Sequence, residues 1–257
     1  TAFIEIKFGY SKSYMLFRTL YIIPIVFVIY SQVQEYIPFL NAGLYDFILA
    51  DWDRVIFGLN PTEWIYKFHN PFLTEYLQFS YMTYYLIPIV FGVELQLRND
   101  KSEFDYMIRN VIFAFYLSYL AYFFMPAIGP RFILHDFMNL SNELPGVWLA
   151  EFFRYIVNSG GGIPTGAFNP AEMVNRDCMP SGHTWITLVN VFLAFRFKSK
   201  FRWVFLIFGI SLIIATIYLR YHYVVDVIAG IIMAFVSIKI EPYIKKFLSK
   251  YLLNRES

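Results

Sequence analysis

Cysteine and charged residues are scarce in this sequence. A single cysteine, Cys178, among 257 residues excludes an intrachain disulfide framework and any multi-cysteine metal site. Charged residues make up 16% of the chain, against 58% hydrophobic and 21% aromatic residues, whereas a soluble domain is roughly a quarter charged. The net charge of +2, without a basic run carrying interleaved aromatic residues, gives no support to a nucleic-acid partner. The composition is typical of a membrane protein, and the length fits a single membrane domain over 1–257.

Six apolar stretches come close to the about 20 residues that a membrane-spanning helix needs. They predict an all-α integral membrane protein with six transmembrane helices, at residues 16–38, 76–97, 107–127, 182–197, 203–219 and 223–241. The core of this domain is expected at about 72–241. A basic turn at 196–202 separates the fourth stretch from the fifth.

Two connecting segments are long enough to carry structure of their own. In the segment at about 43–66, carboxylates alternate with aromatic residues, which predicts one or two helices in the interface plane. The segment at about 128–180 contains "SGGGIPTGAFNP", whose glycines and prolines favour irregular backbone over a helix.

Lysine and arginine predict how the chain is oriented. With the amino terminus placed inside, the inside segments hold 14 of these residues and the outside segments hold 6. Because cytoplasmic loops carry the excess of positive residues, both termini are expected to be cytoplasmic. The loop at 128–180 then faces the periplasm, the exterior or a lumen.

His222 and Asp226 are the strongest candidate catalytic pair. They are four residues apart, so a helix would place them on one face. A carboxylate that accepts a hydrogen bond from one imidazole nitrogen leaves the other nitrogen free as a nucleophile or base. The alternative is a structural pair that caps a helix, but ionisable residues at a membrane are costly and usually functional.

The run Pro180-Ser181-Gly182-His183 opens the fourth apolar stretch. Proline and serine suit a helix start, and the free N–H groups there, with the helix dipole, favour an anion. Glycine lets an oxyanion approach the backbone closely. A simple helix cap with an interfacial histidine is the alternative interpretation.

Arg131, Arg176 and Arg220 add positive charge on the same predicted face of the membrane. A guanidinium offers forked donors that match phosphate oxygens, although each arginine could instead reach lipid headgroups. Together with two histidines, a carboxylate and an anion-binding helix start, they indicate a phosphate ester handled at the bilayer surface.

Other polar residues give weaker signals. His69 and His135 lack partners at metal-ligand spacing, and no histidine–carboxylate set predicts a metal site. "SGGGIPTG" lacks the Gly-Lys-Ser/Thr ending of a phosphate-binding loop. Asp51, Asp53 and Glu63 are expected to lie on the solvated face of an interfacial helix.

These motifs resemble the type-2 phosphatidic acid phosphatase superfamily, whose membrane phosphatases and phosphotransferases have a six-helix core. Residues 180–183 match its Pro-Ser-Gly-His motif, and His222 with Asp226 match its His-x-x-x-Asp ending. "GPRF", "DRVIFGLNPTEW" and "RYHYVVDVIAG" are similar to the branch of inositol phosphorylceramide synthases and their bacterial relatives. The resemblance covers about residues 43–235.

The resemblance implies a role for each matched residue. His222 would attack phosphorus to give a phosphohistidine, Asp226 would orient it, and His183 would protonate the leaving oxygen and then activate the acceptor. The phosphoryl oxygens would be held by the remaining matched residues: Arg131, Ser181, the Gly182 N–H and Arg220. No metal or other cofactor is implied.

Two positions depart from the family pattern. The lysine of its first motif is replaced by Phe124, and Pro130-Arg131 reverses its Arg-Pro order. The arginine of its third motif falls on Thr216, so that Arg220 stands two residues before the histidine. Arg176 is the candidate to take the place of the missing lysine.

The sequence therefore predicts a membrane enzyme that acts on a lipid phosphate without a metal. With water as acceptor it would be a lipid phosphatase; with an inositol, sugar or ceramide-like hydroxyl it would be a headgroup transferase. A transporter or channel that binds an anion is a third possibility, but conduction does not need two histidines and a spaced carboxylate. The expected partners are a lipid phosphate, an acceptor and membrane lipids.

Overall fold

The described part of the chain is built from α-helices. A computed structural model describes the backbone of residues 12–253 and the side chains of residues 21–250. Within these limits there are twelve α-helices, two short 3-10 helices and no β-strand, as the all-α prediction requires. Residues 1–11 and 254–257 lie outside the described residues, and with them Lys7 and Arg255 of the predicted cytoplasmic charges.

The α-helices are numbered here in chain order. They are α1 Lys12–Leu40, α2 Asp46–Phe57, α3 Pro61–Ile65, α4 Pro71–Leu97, α5 Lys101–Ala121, α6 Pro130–Ile133, α7 Leu140–Glu143, α8 Ala150–Gly160, α9 Pro170–Met173, α10 Gly182–Arg196, α11 Arg202–Tyr218 and α12 Val224–Leu253. The 3-10 helices are Tyr66–Phe68 and Phe137–Asn139.

Each of the six predicted apolar stretches overlaps one long helix, and capping residues set several of the ends. Asn70 accepts the N–H of Phe72 at 2.9 Å and is followed by proline, so α4 begins there. Asp100 accepts the N–H of Glu103 at 3.2 Å, so α5 begins six residues before the predicted 107. Residues 101–106 of α5 are helical, although their charged side chains kept them out of the predicted apolar stretch.

Among the described residues, one helix is both long enough and apolar enough to cross a membrane. It is Tyr21–Leu40 within α1, with a mean hydropathy of 1.3. The helix Arg202–Tyr218 is apolar but shorter. The number of spans is therefore still a prediction.

Helix α10 lies at the centre of the bundle, packed against α4, α5, α11 and α12. Its Trp185 is fully buried and donates to the Ser237 hydroxyl of α12 at 3.0 Å. Gly230 of α12 lies so close to α10 that a Cβ there would come within 2.6 Å of the Ser181 carbonyl. This close crossing brings the start of α10 beside the start of α12.

The two connecting segments pack onto the bundle. The 43–66 segment forms the helices α2 and α3, and α2 packs against α12 and α6. The helices are confirmed, whereas their position in the membrane interface is still a prediction. The 128–180 segment is less irregular than expected, because it contains α6, α7, α8 and α9, and α8 packs against α4. The glycine- and proline-rich run between α8 and α9 has the predicted irregular backbone.

Candidate active site

His222 lies just before α12 and is 4% exposed. Its Nδ1 is 2.9 Å from the Cys178 carbonyl oxygen and 3.5 Å from Asp226 Oδ2. A carbonyl oxygen only accepts hydrogen bonds, so Nδ1 carries the proton and donates it. Nε2 then keeps its lone pair, which is the state that a nucleophilic imidazole needs.

Asp226 is fully buried beside this histidine. Its Oδ2 accepts the Cys178 thiol at 2.8 Å and the Tyr223 N–H at 2.9 Å. The Asp226 carbonyl accepts the N–H of Ser181 at 3.0 Å, which ties the two sequence motifs together through the backbone. The predicted His222–Asp226 contact is present, but the Cys178 carbonyl is the nearer partner of Nδ1.

Cys178, His222 and Asp226 also offer three potential metal ligands, whose ligand atoms all lie within 4.8 Å of one another. Metal binding requires a thiolate. Burial raises the pKa of the Cys178 thiol well above its usual value, and its proton is donated to Asp226. A protonated thiol that donates to the carboxylate does not favour a metal at this set, and the absence of a metal is still a prediction.

Ser181 and Gly182 build the start of α10. The Ser181 hydroxyl accepts the N–H of Thr184 at 3.3 Å and lies 3.0 Å from the Thr184 hydroxyl. Ser181 is fully buried. Its hydroxyl is the N-cap of the helix, because it accepts the backbone N–H of Thr184. Gly182 packs against the Tyr122 hydroxyl, where a Cβ would collide.

His183 faces His222 from the first turn of α10. The centroids of the two imidazole rings are 5.6 Å apart. His183 is stacked on Tyr81, with ring centroids 4.6 Å apart, and contacts Tyr84 at 4.4 Å. These rings fix the orientation of His183.

Arg131 of α6 supplies the positive charge. It is 6% exposed, and its guanidinium donates to Asn158 Oδ1 at 2.8 Å and lies 4.9 Å from the Tyr221 ring centroid. Burial lowers the pKa of this guanidinium from its usual value. Among the described residues no carboxylate forms an ion pair with it, so its charge is available to an anionic ligand.

Both imidazoles and Arg131 line one cavity of about 290 Å³. Its walls come from distant parts of the chain, including α1, α4, α8 and the segment before α10. A nucleophilic nitrogen, a second imidazole and a guanidinium that share one space suit the transfer of a phosphoryl group.

The other two predicted arginines lie away from this cavity. Arg220 forms an ion pair with Glu143 and lies 5.1 Å from the Tyr66 ring centroid. Arg176 donates from its guanidinium to the Ala42 carbonyl at 3.2 Å. The structure therefore brings His183, His222 and Arg131 to the cavity, with Asp226 beside His222. The remaining predicted site residues do not line it: Ser181, Gly182, Arg176 and Arg220.

Comparison with known proteins identifies the family. Residues 48–240 match the family model described as the PAP2 superfamily. The chain belongs to the PAP2 superfamily. A PA-phosphatase related-family protein of Dictyostelium discoideum is 28% identical over 176 residues, which is 62% of this chain and 30% of that protein. The chain thus spans about 30% of the length of this curated relative. No solved structure matches the chain.

Membership of the PAP2 superfamily supports the predicted class, a type-2 phosphatidic acid phosphatase-like enzyme. The inositol phosphorylceramide synthase-like branch is still a prediction. The matched region contains all the predicted site residues but begins after α1. Helix α1 nevertheless lines the cavity through Phe27 and Tyr30, so one wall of this PAP2 site comes from outside the matched region.

Two buried carboxylates of α2 also hold this PAP2 site together. Asp46 accepts the backbone N–H groups of residues 128 and 129 at 3.0 and 2.8 Å, just before α6. Asp53 accepts those of residues 224 and 225 at 2.9 Å each, at the start of α12. The expectation that Asp53 is solvated is therefore wrong, whereas Asp51 is exposed and pairs with Arg54 at 2.8 Å.

The spacing of these carboxylates in the sequence could have predicted that they are buried. Asp46 and Asp53 are seven residues apart, and with Leu49 and Ala50 they form one buried face of α2. Burial raises the pKa of both carboxyl groups, and the backbone N–H groups that they accept oppose this rise. They are positioning residues, because they act on the segments that carry Arg131 and His222.

Proposed function

We propose that this PAP2 protein is a multi-pass membrane enzyme that transfers or hydrolyses a lipid-linked phosphate through a phosphohistidine at His222. The observation that carries the proposal is the state of His222. Its Nδ1 is held by the Cys178 carbonyl at 2.9 Å, and its ring lines the cavity shared with His183 and Arg131.

In the first step, the Nε2 lone pair of His222 attacks phosphorus and the bond from phosphorus to the lipid oxygen breaks. His183 donates a proton to that leaving oxygen. The imidazole gains positive charge as the new bond forms, and the adjacent Asp226 carboxylate stabilises this charge. Arg131 binds phosphoryl oxygens, whose negative charge needs donors in a buried site.

In the second step, an acceptor hydroxyl attacks the phosphohistidine. His183, now neutral, takes the proton of the acceptor, and the bond from phosphorus to Nε2 breaks. His222 regains its lone pair and His183 its proton, so the cycle closes without a metal. Water as acceptor releases phosphate, whereas a polyol or ceramide-like hydroxyl gives a new phosphodiester or phosphomonoester.

The proposed topology has α1, α4, α5, α10, α11 and α12 as the six spans, with both termini in the cytoplasm. The lysine and arginine bias of 14 against 6 supports this orientation. Large apolar side chains on the outer faces of these helices support contact with lipid, among them Ile207, Ile232 and Phe235, which are more than half exposed. The cavity then opens towards the extracytoplasmic face.

Headgroup transfer is the second candidate function, since the cavity continues past the histidines. Its wall includes Gly160 and Gly161 from the end of α8 and polar side chains of the segment before α10. A phosphatase that uses water needs no such extension, whereas an inositol, sugar or ceramide-like acceptor does.

The test of the proposal is turnover in detergent with a chelator present. The purified protein is supplied with phosphatidic acid or a polyprenyl pyrophosphate, with or without an added polyol. We expect phosphate release, or transfer to the polyol, that the chelator does not change. His222→Ala should fold and bind lipid but show no turnover. Loss of all turnover on adding the chelator, or normal turnover of His222→Ala, would contradict the mechanism.

A further inference from the structure

A second polar cluster lines the cavity and has no part in the phosphohistidine mechanism. The Tyr30 hydroxyl of α1 donates to Asp177 Oδ2 at 2.5 Å. Asn175 Nδ2 donates in turn to the Tyr30 hydroxyl at 2.9 Å. All three side chains line the cavity that holds both catalytic histidines.

The Asp177 carboxylate lacks a positive partner. Within the described part of the chain it forms no ion pair, and its Oδ1 accepts no hydrogen bond. A carboxylate in a cavity that binds phosphate repels an anionic ligand, unless that ligand also carries a positive charge. The position therefore favours a ligand with a cationic group.

Aromatic rings surround the same carboxylate. A recess of about 40 Å³ shares Asp177 and His183 with the main cavity and is walled by aromatic side chains. The tyrosines of this wall are Tyr30, Tyr84, Tyr85, Tyr119 and Tyr122. Rings of this kind attract an ammonium group through their faces, most strongly where water is excluded.

Arg131 and Asp177 hold opposite charges at separate places in the cavity. The guanidinium contacts Asn158 and the Tyr221 ring, whereas the carboxylate contacts Tyr30. The two groups share no hydrogen-bond partner and form no ion pair with each other. Two opposite charges that line one cavity without direct contact are complementary to the two charges of a zwitterion.

We propose that Asp177, Tyr30 and the surrounding rings bind a cationic amine that lies a few bonds from the phosphate held by Arg131 and His222. The substrate class is then a zwitterionic lipid phosphate. The amine could belong to a headgroup, as in phosphatidylethanolamine or phosphatidylcholine, or to a sphingoid base phosphate. This inference rests on the proposed function, because it assumes that the phosphate lies between the histidines.

Binding without turnover tests the proposal. The full chain with His222→Ala is titrated in detergent with short-chain phosphatidylcholine, phosphatidylethanolamine, phosphatidylglycerol and sphingosine phosphate, by calorimetry. We expect at least one amine-bearing ligand to bind about tenfold more tightly than phosphatidylglycerol, since a charged contact and ring faces are added. Tight binding of phosphatidylcholine or phosphatidylethanolamine would place the amine on the headgroup, and tight binding of sphingosine phosphate alone would place it on the lipid backbone.

Asp177→Asn, added to the same background, should remove this preference, because the amide is uncharged and of similar size. Asp51→Asn is the matched control, since Asp51 is exposed on α2 and pairs only with Arg54, and it should keep the preference. Equal or tighter binding of phosphatidylglycerol by the parent chain would overturn the proposal even if the Asp177 variant failed to fold. An undiminished preference in a folded Asp177→Asn protein would also overturn it.

The two proposals fail in different ways. Turnover of phosphatidic acid by the unaltered enzyme, without any amine preference in binding, would contradict only the proposed amine site. If the unaltered enzyme turned over none of the phosphate esters, the proposed function itself would be contradicted.

Discussion

Replacing Arg131 with glutamine removes the positive charge that faces the two imidazoles. A guanidinium has five N–H donors, and one nitrogen of Arg131 is occupied by Asn158 at 2.8 Å. The remaining donors suffice for two charged hydrogen bonds to phosphoryl oxygens. Each such bond contributes roughly 1.5 kcal/mol, so Arg131→Gln should reduce the stabilisation of the transition state by about 3 kcal/mol. This corresponds to a fall of roughly 10²-fold in kcat/KM.

Arg220→Gln is the matched control for this variant, because it removes the same charge from a buried arginine. Its guanidinium is already paired with Glu143, and this pairing lowers the pKa of the Glu143 carboxyl. We therefore expect Arg220→Gln to lower the unfolding temperature and to lower kcat/KM far less than Arg131→Gln. The assay is phosphate release from phosphatidic acid in mixed micelles, with thermal unfolding measured alongside. Equal losses of kcat/KM in the two variants would refute the assignment of Arg131 to the phosphate.

Two further predictions concern stability. Asp53→Ala leaves two backbone N–H groups at the start of α12 without their acceptor, so the unfolding free energy should fall by about 1–3 kcal/mol. Asp51→Ala is the exposed control. Equal unfolding temperatures of the two variants would contradict the role given to Asp53. Burial lowers the pKa of His135 to about 4. Between about pH 6.5 and 4 this histidine is therefore protonated in the unfolded chain but neutral in the folded chain. Stability falls as the pH falls through this range. His135→Gln should flatten this loss in thermal unfolding measured at pH 7 and pH 5, and an unchanged slope would contradict it.

The helices could be predicted from the sequence because hydropathy marks their apolar interiors. Their ends were predicted less well. Helix α5 begins at Lys101 rather than 107, because the Asp100 cap and a charged first turn extend it. Helices α6 to α9 within the 128–180 segment were missed. Three of them have only four residues each and leave little periodicity. The eleven-residue α8 is amphipathic, so its pattern could have predicted it.

The site was predicted unevenly for a similar reason. His183, His222 and Asp226 stand in short motifs whose spacing alone indicates chemistry, and the close crossing at Gly230 brings them together. Arg131 and Arg220 are alike in the sequence, and only their neighbours separate them. Arg220 meets Glu143 from α7, whereas Arg131 meets the neutral Asn158 from α8. Glu143 belongs to a four-residue helix that no local pattern predicts, whereas Asn158 lies on the amphipathic α8.

The most direct test of the account is to find the phosphoryl group on His222. The enzyme is mixed with phosphatidic acid that carries a radiolabelled phosphate, quenched in alkali within one turnover, and digested for mass spectrometry. We expect an acid-labile, alkali-stable label on the peptide that contains His222, and no label in His222→Ala. A label on Cys178 or His183, or an equal label in the His222→Ala protein, would contradict it.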